Sequence, residues 1–581
     1  MAKKITFIHA PLVRYDQNYG TLFAPLWAFT LAAHVPDDWE QEIIDTNADP
    51  VETVGSSDIF AFSGINQDLG TILAAREFLW RKYPEATFII GGPITWSFEQ
   101  ENKLHLLDDF DHVFILDGEE TLPVFLESFA QNEPVDRLIR AERFDLARSR
   151  SIRFDLYKHK REKYYGAVVE VSRGCPFLCE FCDIRVLPGN NRANNKDPEL
   201  IVREMDAYFR MGITQFQFAC DNFIGDIQWA RQCVKEINAW KERTGAKISI
   251  FTWLTINLYK LPDLMRDMRK AGFSILFIGI ESVNGNSLLE TAKVQNSERL
   301  EEAVTEIQSY GFVIAPGFIF GFDSDTSEVF DDTLDFMERT GTIGGDPSFL
   351  MALPGTPLFE RMRRTGRLVQ DESKATIRMK ITTNIRYLQD PDTLANGFMY
   401  FLSKYNSPKF QLARFRRHLN VIAESPNFIA VEGGGYASPM AYLRMQFQNP
   451  ENRRMFLRRI GYLCVNPKAL IATLLGRFEL ARLGRRRKGL AIHFNYWFYV
   501  WTNMVLKYDD LRRDDIILHG VGTDFDYGML VVDADRDNAS PTRTATGVKD
   551  THQRRYTDRA LRRLADIHAK NLTDNVDAGT G

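Results

Sequence analysis

Residues 175–182 read Cys-Pro-Phe-Leu-Cys-Glu-Phe-Cys and hold three of the six cysteines in this 581-residue chain. The segment before them, residues 165–172, is small and β-branched, which predicts a strand. Arg173 and Gly174 end that strand, so the cysteines are expected on the loop that leaves its carboxyl end. Three thiols on one short loop can ligate three irons of a [4Fe–4S] cluster and leave the fourth iron without a protein ligand.

Two other interpretations of these cysteines stay open from the spacing alone. A structural zinc site needs four nitrogen or sulfur ligands. No further Cys or His follows Cys182 before Asp197, and His159 lies upstream. The third interpretation is thiols that bind nothing. The cluster is the preferred hypothesis, because the motif supplies three ligands and not four.

Composition places the chain among ordinary globular proteins of several domains. Hydrophobic residues make up 44% and charged residues 26%, and the formal net charge is −5, which gives no general attraction to nucleic acid. Cys220, Cys233 and Cys464 are scattered, which disfavours a disulfide framework and suits a reducing cytoplasm. The apolar stretch at residues 5–8 is too short for a signal peptide, and charged residues follow it closely. No run of 18 apolar residues occurs, so no membrane span is predicted.

Strand and helix patterns alternate over the first part of the chain. The predicted strands are 5–10, 42–46, 59–65, 87–90 and 112–116, and the predicted helices are 25–33, 69–82 and 121–130. This alternation indicates a Rossmann-like parallel sheet with helices on both faces. Ligands of such sheets bind beyond the carboxyl ends of the strands, where Ser63-Gly64 and Gly91-Gly92 lie. Glycine there permits close approach of a ligand, or simply serves the turns of any such domain.

A second alternating region follows and contains the cysteine loop. Its predicted strands are 167–171, 215–219, 249–255, 275–280, 315–320 and 347–352, and its predicted helices are 200–211, 226–244, 263–272, 297–311 and 327–340. Six such units predict a partial (β/α)6 version of the eight-stranded barrel. The active site of a barrel of this kind lies at the carboxyl ends of its strands.

The Cys-x3-Cys-x2-Cys loop after a first barrel strand resembles the radical S-adenosylmethionine (radical SAM) superfamily. The resemblance implies that Cys175, Cys179 and Cys182 bind a [4Fe–4S] cluster, whose open iron holds SAM and splits it to a 5′-deoxyadenosyl radical. It also implies SAM contacts from four further residues: Asp221 and Asn222 at the amino end, Glu281 at the ribose and Phe181 at the adenine. The simpler alternatives are helix capping for the carboxylates and core packing for the phenylalanine.

The first domain, placed before this motif, resembles the cobalamin-binding domain of cobalamin-dependent radical SAM enzymes. The resemblance assigns Ser63, Gly64, Gly91, Gly92, Gly118 and Glu119 to cobalamin. The Asp-x-His-x-x-Gly motif that supplies a cobalt ligand in many cobalamin proteins is missing from residues 10–16. His9 lacks that motif around it, and His34 is predicted to be an ordinary histidine of a helix. The lower ligand of cobalt is therefore left unassigned.

Five motifs extend the resemblance to the branch that includes the hopanoid C-2 methylase: Cys-Asp-Ile (182–184), Asp-Asn-Phe-Ile-Gly (221–225), Phe-Ile-Gly-Ile-Glu-Ser (277–282), Gly-Phe-Ile-Phe-Gly-Phe-Asp (317–323) and Ala-Leu-Pro-Gly-Thr-Pro-Leu (352–358). This implies a methyltransferase that uses methyl-cobalamin on an unactivated carbon of a lipid or natural-product intermediate. Two alternatives remain. One is a radical SAM oxidoreductase, cyclase or ring-rearranging enzyme, with cobalamin as a redox partner or absent. The other is a cobalamin-binding regulatory or scaffold protein.

These patterns predict five segments: a cobalamin-binding domain (1–135), a linker (136–160), a radical SAM barrel (161–370), a helical domain on the substrate side (371–535) and a disordered tail (536–581). In the helical domain, the arginines at 453, 454, 458, 459 and 485–487, with Lys488, and the aromatic run 493–501 fit solvated helix faces and a helical core. Contact with anionic lipid headgroups or RNA is the weaker interpretation. Expected partners are a small-molecule or lipid substrate and an electron donor such as flavodoxin or ferredoxin, with no nucleic acid. The expected location is cytoplasmic, with membrane association left open.

Overall fold

The computed structural model describes residues 3–12, 23–293, 299–369, 381–447, 450–484, 489–523, 525–526 and 529–530. The predicted tail 536–581, most of the loop 10–16 and the basic residues 485–488 lie outside these ranges.

The first domain is a six-stranded parallel sheet. Its strands and helices are β1 (Lys4–His9), α1 (Leu26–Ala32), β2 (Glu40–Asp45), β3 (Ile59–Ser63), α2 (Leu69–Lys82), β4 (Thr87–Gly91), α3 (Pro93–Gln100), β5 (His112–Ile115), α4 (Thr121–Ala130) and β6 (Leu138–Arg140). The strand order is β2-β1-β3-β4-β5-β6. The order reverses between β1 and β3, which is the position where open α/β sheets bind their ligands.

The predicted linker needs correction, because part of it belongs to the sheet. Strand β6 pairs in parallel with β5, and helix α5 (Phe154–Lys158) follows it. The sequence of this segment is polar because β6 is a short edge strand, which buries fewer side chains than the central strands do. Lys160 then holds Asp49 of the first domain at 2.6 Å, so the connection is fastened to that domain.

The second domain is a six-stranded parallel sheet in sequential order. It comprises β7 (Ala167–Glu170), β8 (Ser172–Arg173), β9 (Asn194–Asn195), α6 (Pro198–Arg210), β10 (Gln215–Ala219), α7 (Ile227–Thr244), β11 (Ser249–Leu254), α8 (Pro262–Ala271), β12 (Phe273–Glu281), α9 (Gly285–Glu290), α10 (Leu300–Ser309), β13 (Val313–Phe320), α11 (Val329–Thr340), β14 (Asp346–Phe349) and α12 (Pro357–Arg364). The sheet order is β7-β10-β11-β12-β13-β14. The predicted partial barrel is confirmed.

Local sequence signals explain where the barrel helices begin and end. Asp226 caps α7 by accepting hydrogen bonds from the backbone N–H groups of Gln228 and Trp229, and Gly245 ends the helix in the left-handed conformation. Asp197 caps α6 in the same way, and Pro198 occupies its first turn. Each helix therefore starts close to the carboxyl end of the strand before it, and the cysteine loop lies at that same end.

The remaining chain forms β15 (Ile381–Tyr387), α13 (Pro391–Asn406), α14 (Pro408–Glu424), α15 (Pro439–Gln446), α16 (Pro450–Val465), α17 (Pro467–Gly484), α18 (Ala491–Tyr508) and β16 (Ile516–Gly520). The aromatic run of α18 is core: Trp497 and Trp501 are fully buried. Among the described residues, no helix is long and apolar enough to cross a membrane.

Most of this region lies at the amino ends of the barrel strands, opposite the cysteine loop, whereas the sequence placed it on the substrate side. Arg414 of α14 donates to the carbonyl oxygen of Thr342, ahead of β14. The backbone of Gly433 and Gly434 approaches the start of β11 too closely for any side chain. Strand β15 is the exception, since Tyr387 donates to Leu350 beyond the carboxyl end of β14. The sequence showed that these helices were amphipathic but did not show which end of the barrel they would cover.

Candidate active site

The cysteine loop is held in place where it leaves strand β8. Gly174 has a φ of +91°, and a Cβ atom there would overlap the carbonyl oxygen of Arg192. Its N–H donates to Oδ2 of Asp221 at 2.6 Å, and the N–H of Cys175 donates to the carbonyl oxygen of Asn190 at 2.9 Å. The direction of the chain into the first cysteine is therefore fixed by contacts from two separate segments, the loop at 190–192 and Asp221.

The three cysteines line one cavity of about 560 Å³. Cys179 is buried and the other two are half-buried. Burial raises the pKa of the Cys175 thiol, and it raises that of Cys182 to about 12. Within the described part of the chain, no group of three or more His, Cys, Asp or Glu side chains is arranged to hold a single metal ion. Three thiols around a shared cavity suit a larger, sulfur-ligated cluster.

Two buried polar atoms beside this cavity have no partner within the described residues. Asn222 is 1% exposed, and its Nδ2 faces Sγ of Cys175 at 3.8 Å while its Oδ1 is unsatisfied. Ser172 lines the cavity, and its buried Oγ is also unsatisfied. Buried polar atoms without hydrogen bonds are costly. Both atoms therefore indicate that a polar ligand belongs here.

Glu281 and Phe181 meet at the far side of the same cavity, together with Lys293. Glu281 has a φ of +65°, a strained conformation that a β-bulge at the end of β12 imposes. Its Oε1 accepts from the Nζ of Lys293 at 2.7 Å, and that Nζ lies 5.9 Å from the ring centre of Phe181. Burial works to lower the pKa of Lys293, but Glu281 and Cys179 raise it, so the ammonium stays charged.

A buried ionic network clamps the residue between the second and third cysteines. Arg361 of α12 donates to both carboxylate oxygens of Glu180, at 2.8 and 2.9 Å, and to Asp323 at 2.8 Å. Arg367 donates to both oxygens of the same Asp323. The N–H of Glu180 donates to the carbonyl oxygen of Thr291 at 2.9 Å. The cysteine loop is therefore fixed from the last barrel helix as well as from its own strand.

Arg173, directly before the cysteine loop, joins the barrel to the first domain. It pairs with Glu119 at 2.6 Å, with Asp117 at 3.3 Å and with Glu170 at 2.8 Å. Burial raises the pKa of Glu119, while Arg173 opposes that rise. Gly118 packs closely on Leu31 of α1. Domain packing thus accounts for Gly118 and Glu119, and their role toward cobalamin stays a prediction.

The other predicted cobalamin residues come together at the carboxyl ends of β3 and β4. Gly92 has a φ of +85°, and a Cβ there would overlap Oγ of Ser63. Gly91 pairs with Ser63 across the two strands. A Cβ on Gly64 would lie 2.7 Å from Ile72 and 2.9 Å from Oδ2 of Asp68. These four small residues therefore form one compact strand-end cluster.

A second cavity, of about 240 Å³, lies between the two domains. Gly92, Trp96 and Leu116 line it from the first domain, and Arg173 and Asp221 line it from the barrel. Leu116 has a φ of +71°, which is rare for a residue with a branched side chain and common at ligand sites. The carboxyl ends of the two sheets therefore face each other.

The two histidines considered from the sequence are both packed inside the first domain. Nδ1 of His9 accepts from Nε1 of Trp27 at 3.3 Å, and burial lowers the pKa of His9 to about 4. His34 is buried against Phe144. That His34 is an ordinary exposed or packed histidine stays a prediction, because its buried Nε2 has no hydrogen-bond partner among the described residues.

Comparison with known proteins agrees with this geometry. The sequence profile described as "Radical SAM superfamily" matches residues 169–337, and "Domain of unknown function (DUF4070)" matches residues 356–474. The chain is 30% identical to the uncharacterized methyltransferase sll1242 of Synechocystis sp., over 65% of this chain and 70% of that protein. It is 28% identical to the hopanoid C-2 methylase of Rhodopseudomonas palustris, over 69% of this chain and 77% of that protein.

The fold also resembles a solved structure. The cobalamin-dependent SAM radical enzyme OxsB, with aqua-cobalamin and SAM bound, matches with a TM-score of 0.57 and 16% identity, over 97% of this chain and 83% of OxsB. The chain belongs to the radical SAM superfamily, in the branch that contains the methyltransferase sll1242. It is therefore an enzyme, and the family predicted from the sequence is confirmed.

The structure brings the predicted SAM and cluster residues together, and it adds residues that sequence reasoning missed. Cys175, Cys179, Cys182, Phe181, Asp221 and Glu281 line one cavity, and Asn222 lies beside it. The missed residues are Lys293 and Arg361. A lone lysine or arginine in a helical pattern carries no sequence signal of burial, because such residues are usually exposed.

Proposed function

We propose that this protein is a cobalamin-dependent radical SAM C-methyltransferase that acts on a small-molecule substrate. The observation that carries the proposal is the single cavity at the carboxyl end of the barrel, which joins the three cysteines to Asp221, Glu281 and Lys293. Arg173, Ile184 and Asp221 line both this cavity and the interdomain cavity beside the strand-end cluster. The similarity to two methyltransferases over about two thirds of the chain supports the reaction class.

The residues present fit a [4Fe–4S] cluster and SAM. Sulfur ligands suit iron–sulfur clusters, and the unsatisfied oxygens of Ser172 and Asn222 offer polar contacts to a ligand beside the cysteines. When bound, the cluster and SAM supply a 5′-deoxyadenosyl radical and cobalamin supplies the methyl group. The protein holds these groups and the substrate carbon in line and excludes water.

The strand-end cluster supports cobalamin binding at the domain interface, where the interdomain cavity of about 240 Å³ holds only part of so large a cofactor. Ser63, Gly64, Gly91 and Gly92 form the strand-end cluster beside the interdomain cavity, and Leu116 is held in a strained conformation there. Asp117 and Glu119 hold Arg173, so the same contacts fix the distance between the two domains. A reduced flavodoxin or ferredoxin in the cytoplasm is the proposed electron donor.

Anaerobic reconstitution with iron, sulfide and hydroxocobalamin tests this proposal. With SAM carrying a deuterated methyl group, a reductant and candidate lipid or natural-product intermediates, we expect 5′-deoxyadenosine, S-adenosylhomocysteine and a labelled methyl group on a carbon of the product. The Arg363→Gln variant should give the same products as the unaltered protein, because the Arg363 side chain is exposed and pairs with Glu360 on the same helix.

Two outcomes would contradict the proposal in different ways. Release of 5′-deoxyadenosine with an altered substrate and no added methyl group would identify an oxidoreductase, cyclase or ring-rearranging enzyme. No 5′-deoxyadenosine from protein that carries its full iron content would favour a cobalamin-binding regulator or scaffold.

A further inference from the structure

Helix α17 has two apolar faces, and only one of them packs on the protein. Ala469, Ala472 and Leu480 are buried, and α17 packs on α14 along this face. Five other side chains of α17 are large, apolar and exposed: those of residues 470, 471, 474, 475 and 478. At about 100° per residue these five cover an arc of roughly 140° on the side away from the buried face.

The neighbouring helices α15 and α16 also expose large apolar side chains. Val465, at the end of α16, is 81% exposed, and Phe478 of α17 is 65% exposed. On α15, Met440 is 70% exposed, and Phe447 just beyond that helix is 55% exposed. Large exposed apolar surfaces on a folded protein mark interaction sites. The α15–α17 surface, defined as the exposed apolar side chains of residues 440–478, therefore needs a partner.

The same helices also carry exposed basic side chains. Among the described residues of α15–α17, seven are basic and exposed: Arg444, Arg453, Arg454, Arg458, Lys468, Arg477 and Arg482. Glu479 already pairs with Arg416 at 3.2 Å and with Arg482 at 3.1 Å. The chain as a whole carries −5. Positive charge is therefore concentrated on the three helices that expose the apolar side chains.

We propose that the α15–α17 surface docks on an anionic lipid bilayer. Helices that lie in the membrane interface combine an apolar face with Lys and Arg at its border, which contact the lipid phosphates. A second copy of this chain fits less well, because a symmetric contact would bring the two basic borders together. A bilayer supplies both the apolar and the anionic groups that the surface lacks.

This inference does not rest on the proposed function. Helix α17 packs on α14, and α14 contacts the amino ends of the barrel strands through Arg414 and His418. The cysteine cavity lies at the opposite ends of those strands. Docking through α15–α17 therefore leaves the opening of the cavity away from the bilayer, and it can be measured without any turnover.

Vesicle co-sedimentation of the full chain tests the proposal. We expect the protein to sediment with vesicles of phosphatidylcholine and phosphatidylglycerol, and less with phosphatidylcholine alone. The variant Leu474→Glu/Phe478→Glu should lower the bound fraction about tenfold or more, since charges on the apolar face oppose insertion. Phe78→Glu/Val124→Glu, at exposed apolar positions of the first domain, is the matched control and should bind as the unaltered protein does.

A second variant separates charge from apolar contact. Arg453→Gln/Arg458→Gln should remove most of the preference for anionic vesicles, and high salt should do the same. Equal binding by the Leu474→Glu/Phe478→Glu variant would overturn the proposal. So would a lack of binding to anionic vesicles, and a dimer that this variant abolishes, seen by analytical ultracentrifugation, would then identify a second copy of the chain as the partner.

Discussion

The two ends of the barrel are built from different chemistry. At the carboxyl end, buried charges form ion pairs: Arg361 lies between Glu180 and Asp323, and Lys293 lies against Glu281. At the amino end, the buried Arg269 and Arg414 donate to backbone carbonyl groups, and aromatic rings pack beside them: Trp497 stacks on Phe415 with ring centres 4.5 Å apart. A strained non-glycine backbone also occurs at the carboxyl end, at Glu281.

This difference indicates that one end of the barrel carries the chemistry and the other carries much of the stability. Buried charges and strained φ angles cost free energy and persist where a site needs them. Aromatic packing contributes stability without placing a reactive group. Barrel enzymes generally keep their active sites at the carboxyl ends. Substitutions at the carboxyl end should therefore lower iron content, whereas substitutions at the amino end should lower stability alone.

The largest effect is expected from Arg361→Met. It leaves the half-buried Glu180 without its arginine and the buried Asp323 with Arg367 alone, so it should lower the free energy of unfolding by about 3–5 kcal/mol. It should also reduce the iron bound after reconstitution, because Glu180 belongs to the cysteine loop. Urea denaturation and iron analysis measure the two effects. Arg363→Met on the same helix, an exposed position, should leave both nearly unchanged.

Trp497→Ala should destabilise the amino end of the barrel and leave the cysteine loop unchanged. Trp497 is fully buried, and removal of such a side chain costs about 3–5 kcal/mol of unfolding free energy. Iron content per folded molecule should stay normal, because the side chain is remote from the cysteines. Trp80→Ala, on the half-exposed surface of α2, is the control. A parallel loss of iron in folded Trp497→Ala protein would contradict the division between the two ends.

Gly174→Ala should affect the cysteine loop through backbone geometry. The added Cβ would overlap the carbonyl oxygen of Arg192 and force Cys175 out of position. We expect a loss of about 1–3 kcal/mol of stability and a clear drop in iron content. Gly245→Ala has a similar φ of +66° with open space around it, so it should keep its iron. Equal iron in the two variants would show that the loop tolerates the shift.

The smallest predicted effect is an acid sensitivity at the amino end. Burial lowers the pKa of His418 from 6.5 to about 3, and it lowers that of His493, which is 2.9 Å away, well below its usual value. The unfolded chain therefore binds protons more readily, and stability falls as the pH drops below 6.5. Between pH 7 and 5.5 the loss should be about 1 kcal/mol for His418.

Urea denaturation at several pH values measures this slope. The His418→Gln/His493→Gln variant should show a flatter dependence over the same range, because both titrating groups are gone. His159→Gln, at an exposed position, should keep the slope of the unaltered protein. An unchanged slope in the double variant would mean that other groups govern the acid response.

The sequence predicted the parts of the site that depend on local motifs. Cys175, Cys179 and Cys182 share one loop, and Asp221 and Glu281 end parallel strands, so topology alone brings them to one edge. Arg361 could not be predicted, because it meets Glu180 across 181 residues of chain. For the same reason, the sequence did not predict which end of the barrel α14–α18 would cover. Amphipathic helices reveal that a face is buried, but they do not reveal against which surface.

The proposed chemistry requires that the three thiols hold a [4Fe–4S] cluster to which SAM binds. Iron content and 5′-deoxyadenosine release are measured after anaerobic reconstitution and reduction. We expect about four irons per chain and 5′-deoxyadenosine from the unaltered protein and from Cys464→Ala, whose thiol is exposed. We expect neither from Cys175→Ala/Cys179→Ala/Cys182→Ala, and full iron and activity in that triple variant would show that these thiols do not hold the cluster.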